Sequence, residues 1–365
     1  MVPSWLAANP RTSRQQPFGA AQRAVIDPAR VPDVGALLGG GHGPTPLYAL
    51  PALAQRLGVA ELRVKDESQR FGFGAFKALG GVFAVHEFVA AHKERAPADI
   101  VFTTASSGNH GRSVALGAQS VGAPCTIFLP KFTSAEKEAA IRARGAQVIR
   151  IDGDYDTAVA ECRRQAGEKG WTVISDTSWP GYETVPLDVM RGYTMLADEI
   201  VREWQEGPTH LFVQAGVGGL AAAVIGHLWA VLPQRPLSIV VEPQSADCWF
   251  QSNKAGKPAL ASGDASTAMG GLACREISPI TWPVLGLGTD WFMTIAEDQV
   301  MPARRQFAHP LDGDPVLASG PSGCAGLAGL MRAAADAAAL EALGLDKSSR
   351  VLLINSEGNL GEGAV

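Results

Sequence analysis

Short runs of β-branched and other apolar residues alternate along the chain with longer stretches in which apolar positions recur at helical spacing. The short runs predict strands at Leu62–Val64, Ile100–Thr104, Thr126–Leu129, Val148–Ile151, Thr172–Ser175, Leu211–Gln214, Leu237–Val241, Phe292–Ile295 and Val351–Ile354. Alanine-rich stretches between them predict helices, among them Ala75–Ala91, Ala135–Ala143, Val189–Trp204 and Gly326–Leu340. The strands are apolar on both faces, which predicts parallel sheets covered by helices. Nine strands are many for one sheet in 365 residues, so two α/β domains are expected. The larger comprises 1–92 and 193–365, and the smaller, 93–192, is inserted in it. The first 40 residues, rich in Pro and Gly, predict an extended arm.

Composition narrows the class without naming a function. Hydrophobic residues make up 46 % and charged residues 18 % of the chain, values that suit a globular protein and exclude disorder. A net charge of −5 offers no basic field to a polyanion, so no nucleic acid partner is expected. No apolar run reaches the roughly 18 residues of a membrane span, so no membrane partner is expected either. Met1 to Gln22 lacks the apolar core of a secretory signal, which predicts that the mature chain starts here and is cytoplasmic. The five cysteines form no CxxC pair, which predicts reduced thiols and no metal site.

Four segments carry candidate chemistry. Lys77 follows Gly72-Phe73-Gly74-Ala75-Phe76 and is flanked by apolar residues. A lysine so placed has a lowered pKa and can attack an aldehyde, although a lysine near a helix start is ordinarily a solvated surface residue. Ser106-Ser107-Gly108-Asn109-His110 follows a strand, where helix N-terminal amides could take a substrate carboxylate. An ordinary N-cap explains the same residues. Gly216-Val217-Gly218-Gly219-Leu220 follows the strand Leu211–Gln214 and can cradle a phosphate. With Ala221 it also matches the dinucleotide pattern, and Glu242 could then be the ribose acid of a nicotinamide dehydrogenase. Ser356-Glu357-Gly358-Asn359 closes the last strand.

Taken together, the four segments resemble the tryptophan-synthase-like (fold type II) enzymes dependent on pyridoxal 5′-phosphate (PLP). The set is most similar to the diaminopropionate ammonia-lyase family. Lys65-Asp66-Glu67-Ser68, Arg70-Phe71-Gly72, Ala75-Phe76-Lys77, Gly108-Asn109-His110-Gly111-Arg112, Asp176-Thr177, Gly181-Tyr182 and Gly271-Leu272-Ala273-Cys274 carry the resemblance. It implies two three-layer α/β domains with the cofactor in the cleft, a homodimer, and a small amino acid as substrate. It further implies that Lys77 holds PLP covalently, that Gly216, Val217, Gly218, Gly219 and Leu220 bind its phosphate, and that Asn109 lies beside its phenolic oxygen. Ser356 would face the pyridine nitrogen, and Ser106, Ser107, Gly108 and His110 would contact substrate. Asp176 is implied as the base for an L-substrate, with Lys77 the alternative. A turn or N-cap role is the plainer reading of Asp176.

Two departures from the family pattern bear on substrate. Its ammonia-lyases carry an aspartate, acting on the D-isomer, where this chain has Ser107, and a glutamate where it has Pro321. Fewer acids leave less charge to hold a cationic β-ammonium. The implied reaction is elimination of a β-substituent, giving a 2-oxo acid and ammonia. The substrate could be 2,3-diaminopropionate or a β-hydroxy amino acid such as serine, threonine or a β-aryl serine. A scaffold that has lost its activity is the non-enzymatic alternative, opposed by the intact Lys77 and glycine loop.

Overall fold

Every one of the nine predicted strands is present in the computed structural model, which describes residues 1–359. Two short strands join them. In chain order they are β1 (Leu6–Ala8), β2 (Leu47–Ala49), β3 (Glu61–Asp66), β4 (Phe102–Ala105), β5 (Cys125–Pro130), β6 (Gln147–Ile151), β7 (Thr172–Val173), β8 (His210–Gln214), β9 (Leu237–Pro243), β10 (Trp291–Ile295) and β11 (Arg350–Asn355). The chain divides into two compact units, one of Met1–Arg30, Pro44–Ala75 and Leu196–Val365, the other of Val31–Gly43 and Phe76–Met195.

In the larger unit seven strands run in the order β1-β10-β9-β8-β11-β3-β2. The five central strands are parallel, and β1 and β2 add antiparallel edges. Alternate residues are buried on both faces. Phe212, Val241, Met293 and Leu353 share a cluster with Ala325, Ala328 and Leu330 of the helix Ala325–Ala334. Their neighbours Leu211, Val240, Phe292 and Leu352 are equally buried. Such strands carry no polar stripe, which is why the sequence reads as continuous apolar runs.

The smaller unit holds a four-stranded parallel sheet, β6-β5-β4-β7. The helix Lys77–Ala91 packs on the helices Asn109–Ser120 and Thr184–Gly192. Glycines make this close approach possible. A Cβ on Gly81 would lie 2.2 Å from the Ser113 hydroxyl, and one on Gly192 2.5 Å from the Leu79 carbonyl. These contacts draw the helix and Lys77 into the smaller unit. The division therefore falls at 75/76 and 195/196, not at the expected 92/93 and 192/193, and Val31–Gly43 also joins the smaller unit.

Three other expectations are corrected. The N-terminal arm is not simply extended, since it supplies β1 and the short helices Ala20–Val25 and Val34–Leu37. The predicted helix Val189–Trp204 belongs to two helices, Thr184–Gly192 and Thr194–Glu203. The predicted helix Gly326–Leu340 is also two, Ala325–Ala334 and Ala337–Leu343, because the Asp336 carboxylate accepts from the amides of Ala338 and Ala339 and starts a new helix. Among the described residues no helix is long and apolar enough to cross a membrane.

Candidate active site

Lys77 opens its helix with no side-chain cap before it. Its ammonium donates to the Asp176 carboxylate, and it lies 5.4 Å from the Phe76 ring centre and 5.8 Å from that of Tyr193. The pair is only partly covered, with side-chain exposures of 18 % for Lys77 and 23 % for Asp176. That separates Lys77 from the solvated lysine of the plainer reading. Burial pushes the Asp176 carboxyl up, but the charge of the Lys77 ammonium and its hydrogen bond outweigh it, so the group lies well below the usual carboxylate range.

The loop carrying Asp176 is held by Tyr182, whose hydroxyl accepts from the Ser175 amide at 3.0 Å and donates to the Val173 carbonyl at 2.7 Å. The Trp179 ring stacks on Tyr182 at 4.0 Å, and the Arg163 guanidinium lies 3.8 Å above Trp179. Asp176 caps no helix, since the next one begins at Thr184. Asp176 is therefore no N-cap, and from its bend its carboxylate pairs with Lys77.

His110 is buried and bonds through Nε2 to the Ile174 carbonyl at 2.9 Å. A carbonyl can only accept, so the neutral ring carries its proton on Nε2 and presents an unprotonated Nδ1, 3.9 Å from Asp176 Oδ2. Burial lowers the His110 pKa, with the Asp176 charge acting against that shift and Lys77 with it. Gly108 is the N-cap of Asn109–Ser120 and supplies no side-chain cap. Ser106 Oγ bonds only weakly to the Gly108 amide, at 3.3 Å. The ordinary N-cap reading therefore fails. Arg112 donates to Asn109 Oδ1 at 3.0 Å, which makes Nδ2 the donor side of that amide. Gly111 is needed here because a Cβ would lie 2.2 Å from the Ser106 carbonyl. The smaller unit thus sets Lys77, Asp176 and His110 side by side, and it also carries Ser106, Ser107, Gly108 and Asn109.

The larger unit carries the glycine loop and Ser356. Trp249 Nε1 donates to the Gly216 carbonyl at 3.1 Å, and the Ser278 amide donates to the Val217 carbonyl at 2.9 Å. In a trans peptide N–H opposes C=O, so the Val217 and Gly218 amides point away from those partners. Gly218 has φ +105°, and a Cβ on it would lie 2.5 Å from the Trp249 ring, so only glycine fits. The helix Gly219–Val231 starts there with no side-chain cap. Ser356 is buried, and its hydroxyl accepts from Gln214 Nε2 at 3.0 Å.

Glu242, the ribose acid of the rival reading, is fully buried and accepts from the amides of Trp249 and Phe250 at 2.7 and 2.8 Å. Its carboxylate is spent on starting the helix Cys248–Ala255. The dehydrogenase reading loses its acidic residue.

Sequence reasoning missed a buried ionic cluster. Lys65 reaches Glu199 at 2.6 Å and the Thr45 carbonyl at 2.6 Å, while Arg70 bonds to Glu67 and Glu199 at 2.7 Å each. Next to it Phe71 has φ +53°, a left-handed conformation rare for an aromatic residue. The signal was composition: four charged residues within Lys65–Arg70, set between the apolar Val64 and Phe71. Gln214 and Tyr182 were likewise read only as parts of a strand and a motif.

Residues 38–357 match the family described as "Pyridoxal-phosphate dependent enzyme". The chain belongs to this family. It is 38 % identical over 340 residues to diaminopropionate ammonia-lyase of Escherichia coli K12, covering 87 % of this chain and 85 % of that protein. The crystal structure of the Escherichia coli enzyme with an aminoacrylate-PLP azomethine reaction intermediate superposes with a TM-score of 0.86 at 35 % identity, covering 98 % of this chain and 94 % of that one. L-threonine dehydratase of Pasteurella multocida is more distant, at 27 % identity over 87 % of this chain and 56 % of its own. This is a fold type II, PLP-dependent lyase of the ammonia-lyase and dehydratase group.

A primary amine among aromatic rings suits the PLP aldehyde, outward-turned amides at an uncapped helix start suit its phosphate, and a buried hydroxyl suits its ring nitrogen.

Proposed function

We propose that the chain removes a β-substituent from an L-amino acid, with Lys77 as the cofactor-bearing lysine and Asp176 as the base at Cα. The pairing of Lys77 with Asp176 beside a neutral His110 carries this reading. When bound, PLP supplies the electron sink that acidifies the Cα proton and lets the β-substituent depart. The amides of Val217 to Leu220 hold its phosphate. The Asn109 amide donates towards its phenolic oxygen, and the Ser356 hydroxyl meets its ring nitrogen.

Asp176 is ionised at neutral pH and so stands in its basic form. With Lys77 holding the cofactor, the ammonium that keeps the Asp176 pKa down would be withdrawn, and burial would raise its basicity. The uncapped amides at the start of Asn109–Ser120, with Ser106, Ser107 and Gly108, receive the substrate α-carboxylate. His110 Nδ1 lies where a proton gained by Asp176 can be held. A homodimer and a cytoplasmic location complete the proposal.

Two relatives are named diaminopropionate ammonia-lyase and threonine dehydratase. Ser107 and Pro321 stand where acids would favour a cationic leaving group, so β-hydroxy substrates compete with β-amino ones. A serine hydroxyl is no efficient base at neutral pH, so the base for the D-isomer is missing. The test is kcat/KM for L- and D-2,3-diaminopropionate, threonine and a β-aryl serine, read as 2-oxo acid. The proposal expects the L-isomer to exceed the D-isomer by about a hundredfold or more, the scale of a lost general base. Equal rates on the two isomers would overturn the stereochemical claim. Inactivity on every β-hydroxy acid would overturn the leaving-group claim.

A further inference from the structure

Gln214 ends β8, and Ser356 follows β11, the strand paired beside it. The Gln214 side chain is 1 % exposed. Its Nε2 lies 3.0 Å from the Ser322 carbonyl, 3.3 Å from that of Gly323, 3.0 Å from that of Ile354 and 3.0 Å from Ser356 Oγ. Three of these four neighbours are carbonyls and can only accept. The amide must therefore present its NH2 to them, since the reverse orientation would set Oε1 against three carbonyl oxygens. Oε1 itself has no hydrogen-bond partner among the described residues, so this arrangement is enforced by the acceptors and not by its own oxygen.

This fixes the sense of the hydrogen bond at Ser356. A hydroxyl can donate one bond and accept two. The two hydrogens of the Gln214 NH2 are shared among four acceptors, and its nitrogen accepts none, so Oγ faces a donor and cannot give its proton to Gln214. The hydroxyl proton is left for another acceptor. Resting on the reading above, in which Ser356 faces the pyridine nitrogen, we infer that Gln214 is a positioning residue that makes Ser356 a hydrogen-bond donor and so keeps that nitrogen unprotonated. An unprotonated ring draws electrons weakly. It supports expulsion of a good leaving group and disfavours the transamination and racemisation that stronger withdrawal permits.

The holoenzyme reconstituted with PLP labelled with 15N in the ring tests this by the resonance of the pyridine nitrogen as a function of pH. The parent should show an unprotonated nitrogen at neutral pH. Gln214→Glu cannot donate two bonds and offers Ser356 an acceptor, so the hydroxyl turns towards it and the pyridine nitrogen protonates. Gln214→Met removes the donor without adding charge. In both, the pH at which the nitrogen protonates should rise by about one unit, a roughly tenfold change in equilibrium, and transamination per elimination turnover should rise with it. Thermal unfolding of the apoproteins identifies a variant that fails to fold, and Met remains informative if Glu does. A Ser356→Ala shift with parent-like resonances in both Gln214 variants would overturn the role of Gln214 alone. An unmoved resonance in Ser356→Ala would overturn the placement of Ser356, and the inference with it.

Discussion

Two charge centres draw on one short stretch of sequence, Lys65 to Lys77, and they behave oppositely. Around Lys65 and Arg70 every charge meets a counter-charge. Lys65, Glu67 and Arg70 are fully buried, and Glu199 is 9 % exposed. At Lys77 the ammonium pairs with the Asp176 carboxylate, both reach solvent, and the neighbouring His110 Nδ1 has no hydrogen-bond partner among the described residues. A saturated network has nothing left to exchange with a ligand and serves the fold. A pair that reaches solvent can give up its contact to a cofactor or substrate and serves the chemistry. Residue type does not distinguish the two lysines, whereas their exposure does.

Lys77→Ala should abolish turnover, because it removes both the anchor and a proton-transfer group, while leaving the thermal midpoint of the apoprotein nearly unchanged. A variant retaining substantial turnover would remove Lys77 from the chemistry. Asp176→Asn keeps the shape but not the basicity. It should lower kcat on L-substrates by about 10²–10⁴-fold, with the cofactor still bound, as judged by its absorbance.

Glu199→Ala should act on the other centre. Leaving Arg70 and Lys65 without that partner should cost about 3–5 kcal/mol in denaturant unfolding, with kcat of the folded fraction close to the parent's. A parent-like stability would mean that the cluster is not what holds this part of the unit.

The smallest expected effect is in the pH dependence. Burial raises the Glu199 carboxyl, but the Arg70 hydrogen bond and the charges of Arg70 and Lys65 hold it below its ordinary value of 4.5. A carboxylate with a depressed folded pKa contributes stability that is full above the unfolded value and is lost as pH falls through the folded one. Glu199→Gln should therefore lose less further stability than the parent between about pH 5 and 3, as measured by unfolding midpoints. An equal loss would show that Glu199 is not held below its ordinary value.

The strands and the chemistry-bearing loops were legible because both leave local marks. Apolar runs such as Leu211–Gln214 and Val351–Ile354 need no partner to be recognised, and the glycine loop and Asn109 segment are contiguous. The domain boundary was not legible. It depends on Gly80, Gly81, Gly117 and Gly192 meeting across three helices far apart in sequence, which assigns the helix of Lys77 to the smaller unit. The helix breaks at Tyr193 and Asp336 were hidden by apolar periodicity that continues through them. Of the site, Lys77, Asp176 and Ser356 were each nameable by resemblance. The hydrogen bonds that set their protonation, from Gln214 to Ser356 and from His110 to Ile174, join residues 142 and 64 positions apart and have no local signature.

Borohydride reduction of the holoenzyme followed by peptide mapping puts Lys77 and Lys65 in direct competition. A fully buried Lys65 and a solvent-reaching Lys77 predict the pyridoxyl label on the peptide containing Lys77 alone, and a label on Lys65 would contradict this assignment.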